Sequence, residues 1–474
     1  MSSVQAGVVG AHADGARPSP EQRMAAYAAQ FDPKRLGREH LQAVARTLLD
    51  THAVSVAGWH EPAPTRFRRY AEAAGLCAVP AGAKAGAWAS LWVGGARASA
   101  EVAAIANGVA GHVLDYDDVS SEMRGHPSAA LWPALLALGE ARQAPGLRLA
   151  AAFVVGFELI VKLSRAMAQE HYARGWHSTS GIGTIAGAVA CAHLLGLDEA
   201  GTHNALGIAV AQTAGSRQNF GSDAKSFQAG HCNGAAVRAA LLAEAGFTGG
   251  EYALSGAGGF FDLYGANRAL FEEQLGGAGL GDSELLISGV EVKKYPMCYA
   301  AHRALDGMLD LRAEEGVDLS AVASVSVTSS RGGLTPLIHH RPATGLQAKF
   351  SMQYAVVAAL ADGRVDFRSF TDDAVCRPEI QRMLGAVTIG ESGDSLFPRW
   401  TELVITLRNG REIRRRVTAL RGSATLPISE RELLAKAADC YQRGETALSA
   451  ADVYAAAREL STATTGQFMQ RVLV

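Results

Sequence analysis

The stretch NGVAGHVLDYDDVSSEMRGHPSAAL, residues 107–131, decides how the rest of the chain is read. It places three carboxylates, Asp115, Asp117 and Asp118, shortly before Arg124 and the pair His126-Pro127. Histidine and aspartate together can position and move a proton near neutral pH. A plainer reading is equally open. The leading half is then an amphipathic helix whose aspartates face water, and His126 is the N-cap of a helix that Pro127 opens. Working outward, an alanine-rich helix from Ala98 leads into the stretch. Another runs on through Leu131, Leu135 and Leu138 to Glu140.

Further out the chain is helical for almost 300 residues. Residues 1–22 read as a disordered leader, without the basic start and apolar run of a signal peptide. From Pro20 to about Ala57 two helices follow, and Leu147 to Met167 is apolar nearly all round, so mostly buried. Gly181 to Leu197 is the most membrane-like run, but it is short, carries His193, and reads as a buried helix. Glu199 to Ala214 and Asn233 to Ala245 are helices dense in Ala and Gly. No strand signal of any strength precedes residue 285. The periodicity then changes. LLISGVEVKKYP is extended, ASVSVTSS alternates with period two, and TELVITLRNGREIRRRVTAL is a hairpin turning on Asn409-Gly410 in a two-residue loop. From Ser429 the chain is helical again. The expected fold is mostly α, a large all-helical domain (23–270 and 423–474) with an inserted α+β lid domain (271–422).

Composition excludes several function classes. Over 474 residues 48% are hydrophobic, 19% are charged and the net charge is −2, so there is no basic footprint for nucleic acid. Six scattered cysteines without a C-x-x-C argue against a zinc or redox pair and fit a reducing, cytoplasmic setting. No phosphate-cradling loop, dinucleotide fingerprint, H-E-x-x-H or G-x-S-x-G is present.

Four clusters could carry chemistry: the opening stretch; HYARGWHSTSG at 171–181, with His177 and Ser178 at a helix start; NFGSDAKSFQAGHCNG at 219–234, with Lys225 in a loop; and VKKYPMCYAAH at 292–302, with Lys293 and Lys294. Singly each has a bland account. His177 is a helix cap, Lys225 is solvated, the Lys293-Lys294 pair guards a strand edge, Glu158 and Lys162 form a helix pair, and His112 and His302 only pack. Together they are what proton abstraction beside a carboxylate needs. Imidazoles exchange the proton, and cations with helix starts hold the developing negative charge.

The run NGxxxHxLDYDD followed by GHPS resembles the signature of the MmgE/PrpD family, which includes 2-methylcitrate dehydratase, iminodisuccinate epimerase and cis-aconitate decarboxylase. GWHSTSGIG, NALGIA, AKSFQAGHCNGAAVRAALLAEAGFTG and VKKYPMCYAAHRALDG follow in the family's order and spacing, over roughly residues 25–460. The resemblance implies a homodimer with no metal and no organic cofactor. It implies active-site positions at Asp115, His126, His177, Lys225 and Lys293. Expected roles are catalytic for His126, His177, Asp115 and Lys225, and substrate-binding for Lys293, Arg124 and Ser178. There are departures. Ala224-Lys225-Ser226 replaces the T-K-P common in the family. Val119 stands where the decarboxylase branch is similar in having threonine after D-D. MRGHPS and HYARGWHSTS look closer to the epimerase branch.

The expected activity is a cofactor-independent lyase on a small di- or tricarboxylate, resembling 2-methylcitrate dehydratase. An epimerase of an amino-polycarboxylate is the alternative, and a decarboxylase comes after it. A metal-dependent isoprenoid-type synthase would use Asp117, Asp118 and Glu122, but a second acidic cluster on a partner helix is missing from the sequence.

Overall fold

In the computed structural model the described residues are 18–77, 88–275, 280–281, 284–393 and 398–474. Ser19 and Gln22 form a capping box, and with Pro20 in the first turn they start α1 (Pro20–Gln30) inside the stretch expected to be leader. Residues 1–17 of that leader lie outside the described residues, as does much of the Gly-rich piece before Trp88. Helices α2 (Arg38–Gly58), α3 (Pro62–Ala73), α4 (Ala100–Val113), α5 (Pro127–Arg142), α6 (Gly146–Ala173), α7 (Ser178–Leu195), α8 (Glu199–Val210) and α9 (Asp223–Glu244) follow. A short hairpin, β1 (Trp88–Ser90) with β2 (Arg97–Ser99), interrupts them. It is a correction to the all-helical expectation, since three-residue strands are too short to show a period. Among the described residues α7 alone is long and apolar enough to cross a membrane, and 94% of it is buried inside the protein.

Two separate hydrophobic cores divide the chain. The first runs from Met24 to Val292 and resumes from Ile428 to Val472. The returning helices Glu430–Arg443 and Ala450–Arg458 pack on α2, and Thr465–Val472 packs on α5. The second core lies wholly between Tyr295 and Ile413. Phe271, Leu275 and Leu285 belong to the first core, so the expected boundary at 271 falls inside it. The chain crosses between the units at two adjoining points, where Val292 N donates to Gly422 O at 2.8 Å.

The second unit is a four-stranded sheet, β3 (Val322–Ser329), β4 (Val387–Glu391), β5 (Thr401–Leu407) and β6 (Glu412–Val417), in the order β4-β3-β5-β6. β3 and β4 are parallel; the other pairs are antiparallel. Helices His302–Glu315 and Met352–Asp362 pack with it. Along β5 every second residue is buried, which sets its register. The β5–β6 turn differs from the two-residue loop expected. Gly410 N donates to Leu407 O, Leu407 N donates to Arg411 O, and only Gly410 has positive φ. This is a three-residue loop with a left-handed glycine bulge. The extended reading of 285–296 is also corrected at its start, where Glu284–Ile287 makes one helical turn.

The packing that matters most for the site is α4 against α9. Ile105 lies beside Gly234, Val109 beside Gly230, and His112 beside Lys225, so the two helices run antiparallel. A Cβ at Gly230 would sit 2.6 Å from Ile105 O, so only glycine allows this approach. Helix α9 begins at Asp223, ten residues before the expected start, and Lys225 therefore stands in its first turn and not in a loop.

Candidate active site

Helix α4 ends at Val113, and the chain turns through Asp115 with φ +52°. Arg124 is left-handed too, at φ +51°. Such backbone in non-glycine residues costs on the order of 1–3 kcal/mol and needs support from its surroundings. Three buried lysines supply that support. Lys349 Nζ donates to Leu114 O at 2.6 Å, Lys293 Nζ to Asp115 O at 2.7 Å, and Lys436 Nζ to Tyr116 O at 2.8 Å. They come from three distant segments and converge on the carbonyl end of α4, where the helix dipole favours cations. Burial pulls the Lys349 ammonium down to about 7.

The loop then closes on itself, with Ser120 N donating to Gly125 O, and Val119 pairs with Glu291. His126 is the N-cap residue of α5 and His177 that of α7, and neither uses its side chain as a cap. His126 therefore stands at the helix start as expected, with its ring left for other partners, while Asp115, Asp117 and Asp118 are buried and do not face water. Asp118 takes over the capping role, accepting from Ser128 N at 3.2 Å.

The side chains form two linked groups. Asp115 Oδ1 accepts from Lys225 Nζ at 2.5 Å and Oδ2 from Lys293 Nζ at 2.9 Å. Burial would raise this carboxyl, but Lys225 and Lys293 outweigh it and hold it well below the usual carboxylate range. Asp117 Oδ2 lies 2.8 Å from His112 Nδ1 and 3.0 Å from His126 Nδ1, the second off the line of a hydrogen bond. Lys225 Nζ donates to His112 Nε2 at 3.0 Å and so joins the groups. His112 is thereby an Nδ1–H tautomer, and burial followed by Lys225 pushes it down to about 4. It does more than pack: its ring touches those of His126 and His177, with centroids 4.5 and 5.6 Å away.

His177 Nδ1 lies 2.8 Å from Gln228 Oε1, while Gln228 Nε2 donates to Ser216 O at 3.1 Å. The amide so oriented accepts, and His177 must carry its proton on Nδ1, leaving the Nε2 lone pair without a hydrogen bond among the described residues. Burial, then His112 and Lys225, hold His177 well below the ordinary imidazole range. Burial lowers His126 as well, but Asp117 opposes it, and Nε2 of His126 lies 3.8 Å from Asp115 Oδ1. One histidine is thus kept neutral beside a lysine, and the other stands between two carboxylates. Both imidazoles are lowered by burial, His177 the further of the two.

Asp115, Arg124, His126, His177, Lys225 and Lys293 all line one cavity of about 110 Å³ between the two units. Ser178 is buried behind His177 as the first residue of α7 and is not on that wall. Lys294 does not line it either. Beyond the residues expected from the sequence, the structure brings His112 and Gln228 behind this wall and Arg303 and Arg399 onto it. His112 carried one usable signal, since it lies three residues before Asp115 in the last turn of α4. Gln228 carried none.

His112, Asp117 and His126 are also a possible ligand set for a metal ion. The 2.8 Å separation is hydrogen-bond spacing, and the Lys225 ammonium on the far nitrogen of His112 opposes a second cation. The residues do not fit a resident metal.

Comparison with known proteins adds an independent line. Residues 22–272 match the model of the MmgE/PrpD N-terminal domain, and residues 295–456 match that of the MmgE/PrpD C-terminal domain. The chain is similar to cis-aconitate decarboxylase of Homo sapiens, 28% identical over 343 residues and 70% of each chain. The Mus musculus protein of that name is 29% identical over 346 residues, again 70% of each chain. The Aspergillus terreus one is 26% identical over 311 residues, 61% of this chain and 63% of its own.

Proposed function

Because the chain belongs to the MmgE/PrpD family, we propose that it is a lyase acting on a small di- or tricarboxylate by proton transfer at the carbon beside a carboxylate, with no metal or organic cofactor. The observation that carries this is the unused Nε2 of His177, on a cavity wall shared with two buried ammonium groups. His177 removes the α-proton. Lys225 and Lys293 each spend two contacts within the protein and keep a third N–H for the substrate carboxylate. They hold the charge that develops there, in a site where few other groups can screen it. His126, poised between Asp115 and Asp117, is the acid. It protonates the departing hydroxyl, which leaves as water from the neighbouring carbon.

Both histidines line the cavity with their rings against the buried His112, and a lyase can use acid and base on one face of the substrate. An epimerase needs them on opposite faces. A second reading is decarboxylation, favoured by the names of the relatives. There the C–CO₂ bond breaks, its electron pair stays on the carbon, and His126 delivers the proton. Incubation in D₂O with citrate-, aconitate- and aspartate-derived acids separates the outcomes. Loss of water is the expected result, and CO₂ release selects the second reading. Deuterium exchange without net product selects the epimerase. If none of the acids exchanges or turns over, the proposal fails.

A further inference from the structure

Beyond the deep lysines, the cavity wall carries three guanidinium groups. Arg124 comes from the strained loop of the helical unit, Arg303 from the first turn of the helix His302–Glu315, and Arg399 from just before β5. All three are half-buried. They are close enough that Arg399 acts on both of the others, and burial with this repulsion lowers Arg124 and Arg303. Among the described residues no carboxylate lies within ion-pair distance of Arg124 or Arg303. Arg124 lies over the ring of Tyr172, and Arg303 donates only to Thr418 O, at 3.5 Å. Glu291 is the carboxylate felt by Arg303, but its oxygens accept from Ser121 N and Tyr299 OH, both at 2.7 Å. Among the described residues the cavity lining thus holds five cationic side chains and one carboxylate, Asp115, which Lys225 and Lys293 already neutralise. Guanidinium groups with no carboxylate partner among the described residues, as Arg124 and Arg303 are, are costly in a half-buried cleft unless an anion completes them, and their planar donors suit a carboxylate.

We propose that Arg124, Arg303 and Arg399 form a second anion subsite, which reads the substrate carboxylate remote from the reacting carbon and makes Arg303 and Arg399 specificity-determining residues. This rests on the reading of the cavity as a carboxylate site. Because Arg124 belongs to one unit and Arg303 and Arg399 to the other, a bound carboxylate also bridges the units. A monocarboxylate fills only the deep lysine site; a di- or tricarboxylate fills both.

The test is equilibrium binding of citrate, succinate and propionate, by calorimetry, to the unchanged protein, R303Q, R399Q and the charge-keeping R303K, each checked for folding by circular dichroism. The unchanged protein is expected to prefer citrate and succinate over propionate by at least about tenfold. R303Q and R399Q should shrink that preference by about tenfold with little change for propionate, and R303K should keep most of it. A preference that survives in whichever Gln variant folds overturns the subsite while leaving the proposed function standing. If the unchanged protein binds none of the three acids, the subsite and the proposed function fall together.

Discussion

Gln228 sits behind His177 and fixes which nitrogen carries the proton. Gln228→Leu keeps the size but removes the acceptor, and kcat is expected to fall by about 10–100-fold with KM little changed, against about 10²–10⁴-fold for His177→Ala. Steady-state kinetics with the substrate found in the D₂O screen checks both, and a normal kcat in Gln228→Leu removes its role. The pH profile follows from the same site. A base works unprotonated, and His177 is held well below 6.5. The acid limb of kcat/KM is therefore expected below the ordinary histidine range, and a limb at or above pH 6.5 counts against His177 as base. Asp115 bears on stability. Its folded carboxyl is depressed, so its contribution is present above the unfolded value near 3.9 and is lost as pH falls through the folded one. Asp115→Asn leaves two buried ammonium groups without their counter-charge and is expected to cost about 3–5 kcal/mol in denaturant unfolding. At this scale the sequence was informative where polar residues interrupt helical runs, as at Asp115, His126, His177, Lys225 and Lys293. It was faint where a polar residue continues an apolar helix face, as His112 does, and silent where partners are far apart in the chain, as Gln228 and Arg399 are.

The element that holds the site together is the α4–α9 pair. Its close approach at Gly230 brings Lys225 to His112. Gly230→Ala introduces a methyl group 2.6 Å from a backbone oxygen and is expected to cost about 1–3 kcal/mol by overpacking. By moving Lys225 off His112 and Asp115 it should also reduce kcat. Thermal unfolding and kinetics measure both, and an unchanged Tm argues that the helices part without cost. Long elements were legible because period 3.6 repeats many times in α6 and α7, and period two repeats through β3 and β5. β1, β2 and β4 are too short to repeat. The β5–β6 loop was misjudged because Asn409-Gly410 suits both a two-residue turn and a type I turn closed by a glycine bulge.

At the scale of the molecule the change of periodicity near 285 and its return near 429 marked an insertion, because strands and helices bury their faces with different repeats. The boundary itself was invisible, since the helix Arg268–Leu275 has no feature that says it packs back on α6. The second core draws all its residues from between Tyr295 and Ile413. A fragment 293–421 is therefore expected to resist protease by itself, while a chain cut after residue 425 leaves α2 uncovered and is expected to be digested. Digestion of the fragment as fast as an unfolded control counts against this division.

The three lysines that support the strained turn at Asp115 reach it in order of synthesis: Lys293, then Lys349, then Lys436. A growing chain has made every group of the acid–base site once Lys293 is in place, well before the last of the three supports emerges. The inserted unit can close its core during that interval, as units made earlier generally do. Until the returning helix docks, Tyr116 O lacks the bond from Lys436, and the turn pays its strain with one support missing. The helix Glu430–Arg443 therefore sets the last of these supports, and a chain that has not yet made it carries Asp115 on a turn held by two lysines instead of three.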